Sequence, residues 1–254
     1  MIGYIVEKLS FCSGTFIRER KPSMIGFYDY TVVLTYFSLL SAMTGIIVSL
    51  SGSGHPYYGC LFLLFCGLFD AFDGKVARTK KGRTKMEMDF GIQIDSLSDL
   101  VAFGVLPACI GAALIRVSPY LTRVLEGMTV RWEIASGKFL LHACLVLYVL
   151  AAMIRLAYYN VTEEERQQTE SGARREYLGL PVTSAALIFP FVLMLQYLTK
   201  TDITLAYMAV SLLTGALFIS PISVRKPGMR GILIMVGIGA VEFFLLLFWK
   251  VIVK

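Results

Sequence analysis

Seven long apolar stretches, set apart by short polar segments, organise this chain of 254 residues. They fall at roughly residues 31–51, 58–72, 97–115, 139–158, 181–198, 203–220 and 231–249. Most come close to the ~20 residues that a helix needs to cross a hydrocarbon core. The expected fold is therefore all-α, a polytopic membrane bundle of about six to eight transmembrane helices. The second stretch is short because it ends in aspartates, so its helix is expected to run on into the headgroup zone. Three connections are longer than the rest. Residues 74–90 read as a basic loop. Residues 116–138 read as an outer connection in which Tyr120 to Met128 forms an interfacial helix. Residues 159–180 carry Glu163-Glu-Glu-Arg-Gln-Gln, which extends a helix out of the membrane, and Pro181 marks the start of the next span. Residues 1–23 are of mixed polarity, are interrupted by Arg18-Glu-Arg-Lys21 and show no cleavable signal pattern. A short N-terminal helix lying on the membrane surface is expected there. No linker and no internal repeat divides the chain, which reads as a single membrane-embedded domain over residues 1–254.

Composition removes the soluble alternatives. The chain is 56% hydrophobic and only 17% charged, with a mean hydropathy of +0.68; a soluble domain does not carry so little charge among such long apolar runs. If the N-terminus faces the cytoplasm, 17 of the 24 lysines and arginines fall on cytoplasmic segments, as the positive-inside rule asks. The net charge of +6 follows from that rule and from attraction to anionic membrane lipid, and nucleic acid is not an expected partner. The five cysteines, Cys12, Cys60, Cys66, Cys109 and Cys144, show no paired spacing and read as small buried hydrophobes. His55 and His142 have no partner at metal-ligand spacing, which argues against zinc.

The polar chemistry is concentrated in thirty residues. Of seven aspartates, five lie between positions 70 and 99, where apolar flanks make carboxylates costly unless they bind something. Asp70 and Asp73 are i, i+3, and Asp95 and Asp99 are i, i+4, so on helices each pair projects from one face. Two such pairs across a helical hairpin form a cage of hard oxygen donors suited to Mg²⁺ or Mn²⁺. Gly74 and Ala77 add no bulk beside Asp73, Arg78 offers a planar fork for phosphate, and Gly91 stands one turn before Asp95. The arrangement suits a metal-bound diphosphate clamped by two cations, with a further carboxylate placed to take a proton from an attacking hydroxyl.

The pattern Asp70-x-x-Asp73-Gly74-x-x-Ala77-Arg78, followed by Gly91-x-x-x-Asp95-x-x-x-Asp99, resembles the signature of the CDP-alcohol phosphatidyltransferase family. The resemblance implies a membrane enzyme that moves a phosphatidyl group from a CDP-linked lipid to an alcohol and releases CMP. It implies that Asp70, Asp73 and Asp95 bind the metals and that Asp99 is the general base, also touching metal. Gly74, Ala77 and Arg78 would border the CDP group, with Gly91 on the facing helix. Twelve residues separate Arg78 from Gly91, where the family has about eight; the excess is expected as slack in the basic loop. The run from Asp89 to Pro107, with Arg155-Leu-Ala-Tyr-Tyr-Asn160 and Tyr177-Leu-Gly-Leu-Pro181, is similar to the phosphatidylserine synthase branch. That implies CDP-diacylglycerol and L-serine as substrates, in the plasma membrane of a prokaryote with the site facing the cytoplasm. Arg155 is the candidate for the serine carboxylate, with polar help from Asn160; the alternative is that Arg155 snorkels to the interface. A homodimer is left open.

Two rivals stand beside this reading. The nearer is the same chemistry with another acceptor, glycerol phosphate, inositol phosphate or an archaeal-type lipid substrate; an anionic phosphorylated acceptor would need a denser basic pocket, which the Lys80–Lys85 run offers. A divalent-cation transporter would place its acids near the bilayer midplane at a repeat interface, whereas these lie at one end of a span beside a basic loop. Glu242, in the middle of the last span, is an ionisable group read as structural.

Overall fold

The computed structural model describes residues 25–52, 55–126, 131–169, 176–225 and 228–252. These form α1 (Val33–Leu50), α2 (Pro56–Ala77), α3 (Lys85–Asp99), α4 (Leu106–Val117), α5 (Pro119–Glu126), α6 (Arg131–Thr169), α7 (Ala185–Thr199), α8 (Thr204–Phe218) and α9 (Met229–Ile252). A six-residue π-helical segment, Leu100–Val105, joins α3 to α4, so residues 85–117 run as one helix. Among the described residues, Val33–Leu50, Lys85–Val117, Gly137–Arg166 and Met229–Phe248 are long and apolar enough to cross a membrane, and α7 and α8 are shorter apolar helices. The chain is a helical bundle of an integral membrane protein, as its hydropathy pattern requires. The expected N-terminal surface helix and Cys12 lie outside the described residues.

Local signals explain where the site-bearing helices begin and end. α2 opens on Pro56 behind the His55 side chain, which accepts the Tyr57 N–H, and continues for 22 residues to Ala77, carrying both its aspartates on the final turns. The basic connection is shorter than the expected 74–90. α3 already begins at Lys85, because Thr84 and Glu87 form a reciprocal capping box: the Glu87 carboxylate accepts the Thr84 N–H at 2.7 Å, and the Thr84 hydroxyl accepts the Glu87 N–H at 3.2 Å. Gly82, at φ +74°, turns the chain just before it. Part of the extra length before Gly91 is therefore helix, not slack. α5 lies where the interfacial helix was expected, and α6 carries the Glu163 stretch within a single 39-residue helix.

One element was not expected. β1 (Glu176–Leu178) pairs antiparallel with β2 (Ser223–Arg225), Tyr177 opposite Val224, and the Gly179 N–H extends the ribbon to the Ile222 carbonyl at 2.8 Å. Three-residue strands are too short to show a period of two. The ribbon ties the α6–α7 connection to the α8–α9 connection.

The seam between α1 and α2 is built from small residues. Thr35, Ser38, Ala42, Gly45 and Ser49 form a buried stripe on α1, spaced by three and four. A Cβ on Gly45 would lie 2.8 Å from the Phe62 Cβ, and one on Gly59 would lie 2.7 Å from Ile110 Cγ1, so the backbones approach as closely as small residues permit. Further in, Tyr148, Phe189, Tyr207 and Phe218 are fully buried and in contact, with ring centroids 4.9 to 5.6 Å apart. α9 lies at the edge against α2 and α7, most of its surface outward, with Glu242 buried on its inner side. Cys60 and Cys66 are buried and free, as small hydrophobes should be, whereas Cys109 and Cys144 are free but only half-buried.

Candidate active site

The last turns of α2 and the last turns of α3 meet side by side. One carboxylate oxygen from each of Asp70, Asp95 and Asp99 lies within 4.8 Å of the others. Asp73 lies against Asp95, yet its oxygens are engaged by the protein. One accepts the Gly74 N–H and the other faces the Thr35 hydroxyl at 3.4 Å. The four predicted acids are thus brought together as three convergent carboxylates and one at the flank. α1 braces both helices, because Ser98 also donates to the Thr35 carbonyl at 3.3 Å.

Arg155, only 9% exposed, projects from α6 close enough to act on the carboxylates of Asp70 and Asp99. Its guanidinium stacks 5.3 Å from the Tyr159 ring centroid. Asn160 donates to the Ser96 hydroxyl at 2.8 Å, which fixes α6 to the acid-bearing helix. Buried at this point, Arg155 does not extend to the surface as a snorkelling side chain would.

These groups line a cavity of about 1310 Å³ with two unlike walls. The polar wall includes Asp70, Arg78, Lys85, Asp89, Asp95, Asp99, Arg155, Asn160, Glu163 and Glu164. The rest of the lining is largely apolar and includes Leu64 and Phe65 of α2 with Met235, Val236 and Phe243 of α9. Gly74, Ala77 and Gly91 lie behind the polar wall instead of on it. A Cβ on Gly91 would come 2.9 Å from an Arg83 Nη, and one on Gly74 would meet the Arg78 guanidinium at 3.5 Å.

The basic loop is largely occupied with its own neighbours. Lys80 bridges Asp29, just before α1, and Glu87, which it reaches at 2.8 Å. The Lys80 ammonium, helped by Thr31, holds the Asp29 carboxyl down at about 2, well below its ordinary 3.8. Arg83 donates to the backbone carbonyls of Glu87 at 3.0 Å and Ala77 at 3.4 Å, joining the end of α2 to the start of α3.

The donor set fits a hard divalent cation. Three carboxylates converge in one half-buried pocket, where like charges favour a bound counter-ion. Sequence reasoning missed Thr35, Ser96 and Tyr159. Thr35 belongs to the small-residue stripe of α1 and Tyr159 stands one turn after Arg155, so helical spacing was the available signal for both.

The family model described as CDP-alcohol phosphatidyltransferase matches residues 30–222. The chain is 31% identical over 164 residues to a CDP-diacylglycerol–serine O-phosphatidyltransferase of Saccharomyces cerevisiae, covering 63% of this chain and 51% of that protein. It is 30% identical over 179 residues to the archaetidylserine synthase of Methanothermobacter thermautotrophicus, covering 69% and 64%. It is 26% identical over 198 residues to a CDP-diacylglycerol–serine O-phosphatidyltransferase of Helicobacter pylori, covering 76% and 71%. The match therefore spans between half and two thirds of the yeast and Methanothermobacter proteins.

Proposed function

The chain belongs to the CDP-alcohol phosphatidyltransferase family, and from that membership we propose that it transfers the phosphatidyl group of CDP-diacylglycerol to L-serine, giving phosphatidylserine and CMP. The relatives named for serine support this acceptor, and the charge balance of the cavity carries it. A phosphorylated acceptor would call on the Lys80–Lys85 run. Lys80 is held by Asp29 and Glu87, Arg83 is turned to the backbone, and Lys85 alone of that run's lysines lines the cavity, whose lining adds Glu164 and Glu163, the latter paired with Arg166 at 2.6 Å. A zwitterion suits such a wall better than a phosphate does: Arg155 offers a fork to the carboxylate, with Asn160 nearby, and the acids favour the ammonium.

In this reading Asp70, Asp95 and Asp99, with Asp73 at the flank, hold two cations, Mg²⁺ or Mn²⁺. Bound there, the cations neutralise charge on the diphosphate and on the departing CMP. Asp99 accepts the proton of the serine hydroxyl as that oxygen bonds to the phosphatidyl phosphorus and the phosphorus–oxygen bond to CMP breaks. Arg78, on the polar wall, faces a phosphate, while Gly74, Ala77 and Gly91 keep the helices of that wall closely packed behind it. The apolar wall takes the acyl chains. Residues 1–254 act as one unit in a prokaryotic plasma membrane, with the acids toward the cytoplasm.

The test is CMP release by the purified protein in CDP-diacylglycerol micelles, with serine, glycerol phosphate or inositol phosphate. Serine is expected to be preferred at least tenfold, with activity lost in EDTA and restored by Mg²⁺ or Mn²⁺. Equal rates with a phosphorylated alcohol would overturn the acceptor assignment, and full activity in EDTA would overturn the metal assignment.

A further inference from the structure

The π segment begins at the residue after Asp99, and Pro107 follows it closely. A π turn holds one residue more than an α turn, so passing between the two registers swings a helix by about 100°. The inward face of α4 is fixed in the core: Leu106 and Ile110 are fully buried, and a Cβ on Gly111 would strike Leu145 at 2.7 Å and Tyr207 at 3.0 Å. A change of register would therefore be felt on the other side, by Asp95 and Asp99.

Pro107 has no N–H, and the carbonyl four residues before it belongs to Phe103. That carbonyl accepts the hydroxyl of Tyr148 at 2.5 Å. Tyr148 is 1% exposed, with its ring packed on Phe189 and Phe218. It lies on the same face of α6 as Ala152, which meets Gly104, and Arg155, which lines the cavity with Asp99. α6 thus reads along the neighbouring helix from the core to the acids, and Tyr148 makes its hydrogen bond within the π segment itself.

We propose that Tyr148 is a positioning residue for the acid cluster: its hydroxyl, donated to the Phe103 carbonyl, holds Leu100–Val105 in the π register that turns Asp95 and Asp99 toward Asp70. The inference rests on the reading of those acids as cation ligands. Its natural control is Tyr207, equally buried in the same aromatic cluster, whose hydroxyl donates to the Pro107 carbonyl at 2.8 Å, beyond the segment.

The experiment is Mn²⁺ titration of the purified full chain, followed by electron paramagnetic resonance, on wild type, Tyr148→Phe and Tyr207→Phe, with thermal unfolding measured in parallel. Tyr148→Phe is expected to weaken Mn²⁺ binding at least tenfold and to lower kcat similarly, while the KM for each substrate moves less than twofold. Tyr207→Phe is expected to lose a similar few degrees of thermal stability with Mn²⁺ binding within twofold of wild type. Gly104→Ala, which crowds Leu100 at 3.2 Å and Ala152 at 3.4 Å without removing a hydroxyl, should weaken Mn²⁺ binding in the same direction as Tyr148→Phe. Unchanged Mn²⁺ binding in Tyr148→Phe, or equal weakening in Tyr207→Phe, overturns the proposal. Wild type that binds no Mn²⁺ overturns the metal reading instead, and wild type that binds Mn²⁺ but releases no CMP with serine overturns only the activity.

Discussion

On one side of the π segment, α3 presents Asp89, Asp95, Ser96 and Asp99 to a cavity, and few of its residues are buried. On the other side, α4 buries Leu106, Ile110, Ala113 and Leu114 and closes through Gly111 on Leu145 and Tyr207. The two halves belong to one helix, yet one is given to chemistry and the other to packing. Polar side chains at a cavity wall contribute little packing, so changes in α3 should alter turnover while the fold persists. Side chains at van der Waals contact tolerate no added volume, so changes around α4 should do the reverse.

The most severe break of that contrast is Asp95→Asn. It keeps the shape of a cation ligand and removes its charge, so cation-dependent turnover should fall at least about a thousandfold, on the scale of a lost transition-state stabiliser. Thermal unfolding in detergent should stay within a degree or two of wild type; a large fall would mean that the acid half also carries the fold. Gly59→Ala acts on the other half. Its new Cβ would press on Ile110 of α4 at 2.7 Å and on Ser49, and overpacking of this kind costs about 1–3 kcal/mol. The melting temperature should drop while kcat per folded molecule stays within twofold.

A smaller effect sharpens the acid side. Arg155→Lys retains the charge and loses the fork, so the KM for serine should rise about tenfold, equivalent to about 1.4 kcal/mol. The KM for the lipid should move much less. A parallel rise in both would assign Arg155 to the lipid phosphate. The smallest effect lies outside both halves, at Asp29. Folded Asp29 takes its proton at about 2 instead of 3.8. Between those values the unfolded chain binds more protons, so the stability that Asp29 contributes is whole above pH 4 and fades as pH falls toward 2. Asp29→Asn should flatten that part of a melting profile measured from pH 6 to pH 2.5, and an unchanged slope would show that the Lys80 contact is not maintained in solution.

What could be read from sequence follows the distance over which each contact acts. The acids were legible because i, i+3 and i, i+4 spacing is a property of a single helix, as were the spans and the helix around Tyr120. The start of α3 was legible in principle, since Thr84-x-x-Glu87 is a capping-box pattern; reading the Lys80–Lys85 charges as loop concealed it. Thr35 against Asp73 and Tyr148 against Phe103 join residues 38 and 45 positions apart, and nothing local marks such pairs. The π segment left only the hint of Pro107, because no side-chain pattern encodes one extra residue in a turn. The β1–β2 ribbon depends on two connections meeting at the end of the bundle, which is a product of the fold.

The unbroken run from Lys85 to Val117 also acts as a ruler. Eighteen positions separate Asp99 from Val117, at most about 27 Å at an α-helical rise of 1.5 Å per residue, since the six π-helical positions rise less. That is nearly the depth of a hydrocarbon core, about 30 Å. Were Val117 at one boundary, Asp99 would come close to the opposite one, and the length of this run would set the depth of the acids. Removing one turn there would draw them about 5 Å into the hydrocarbon, away from the plane in which a lipid diphosphate and a water-borne amino acid can meet.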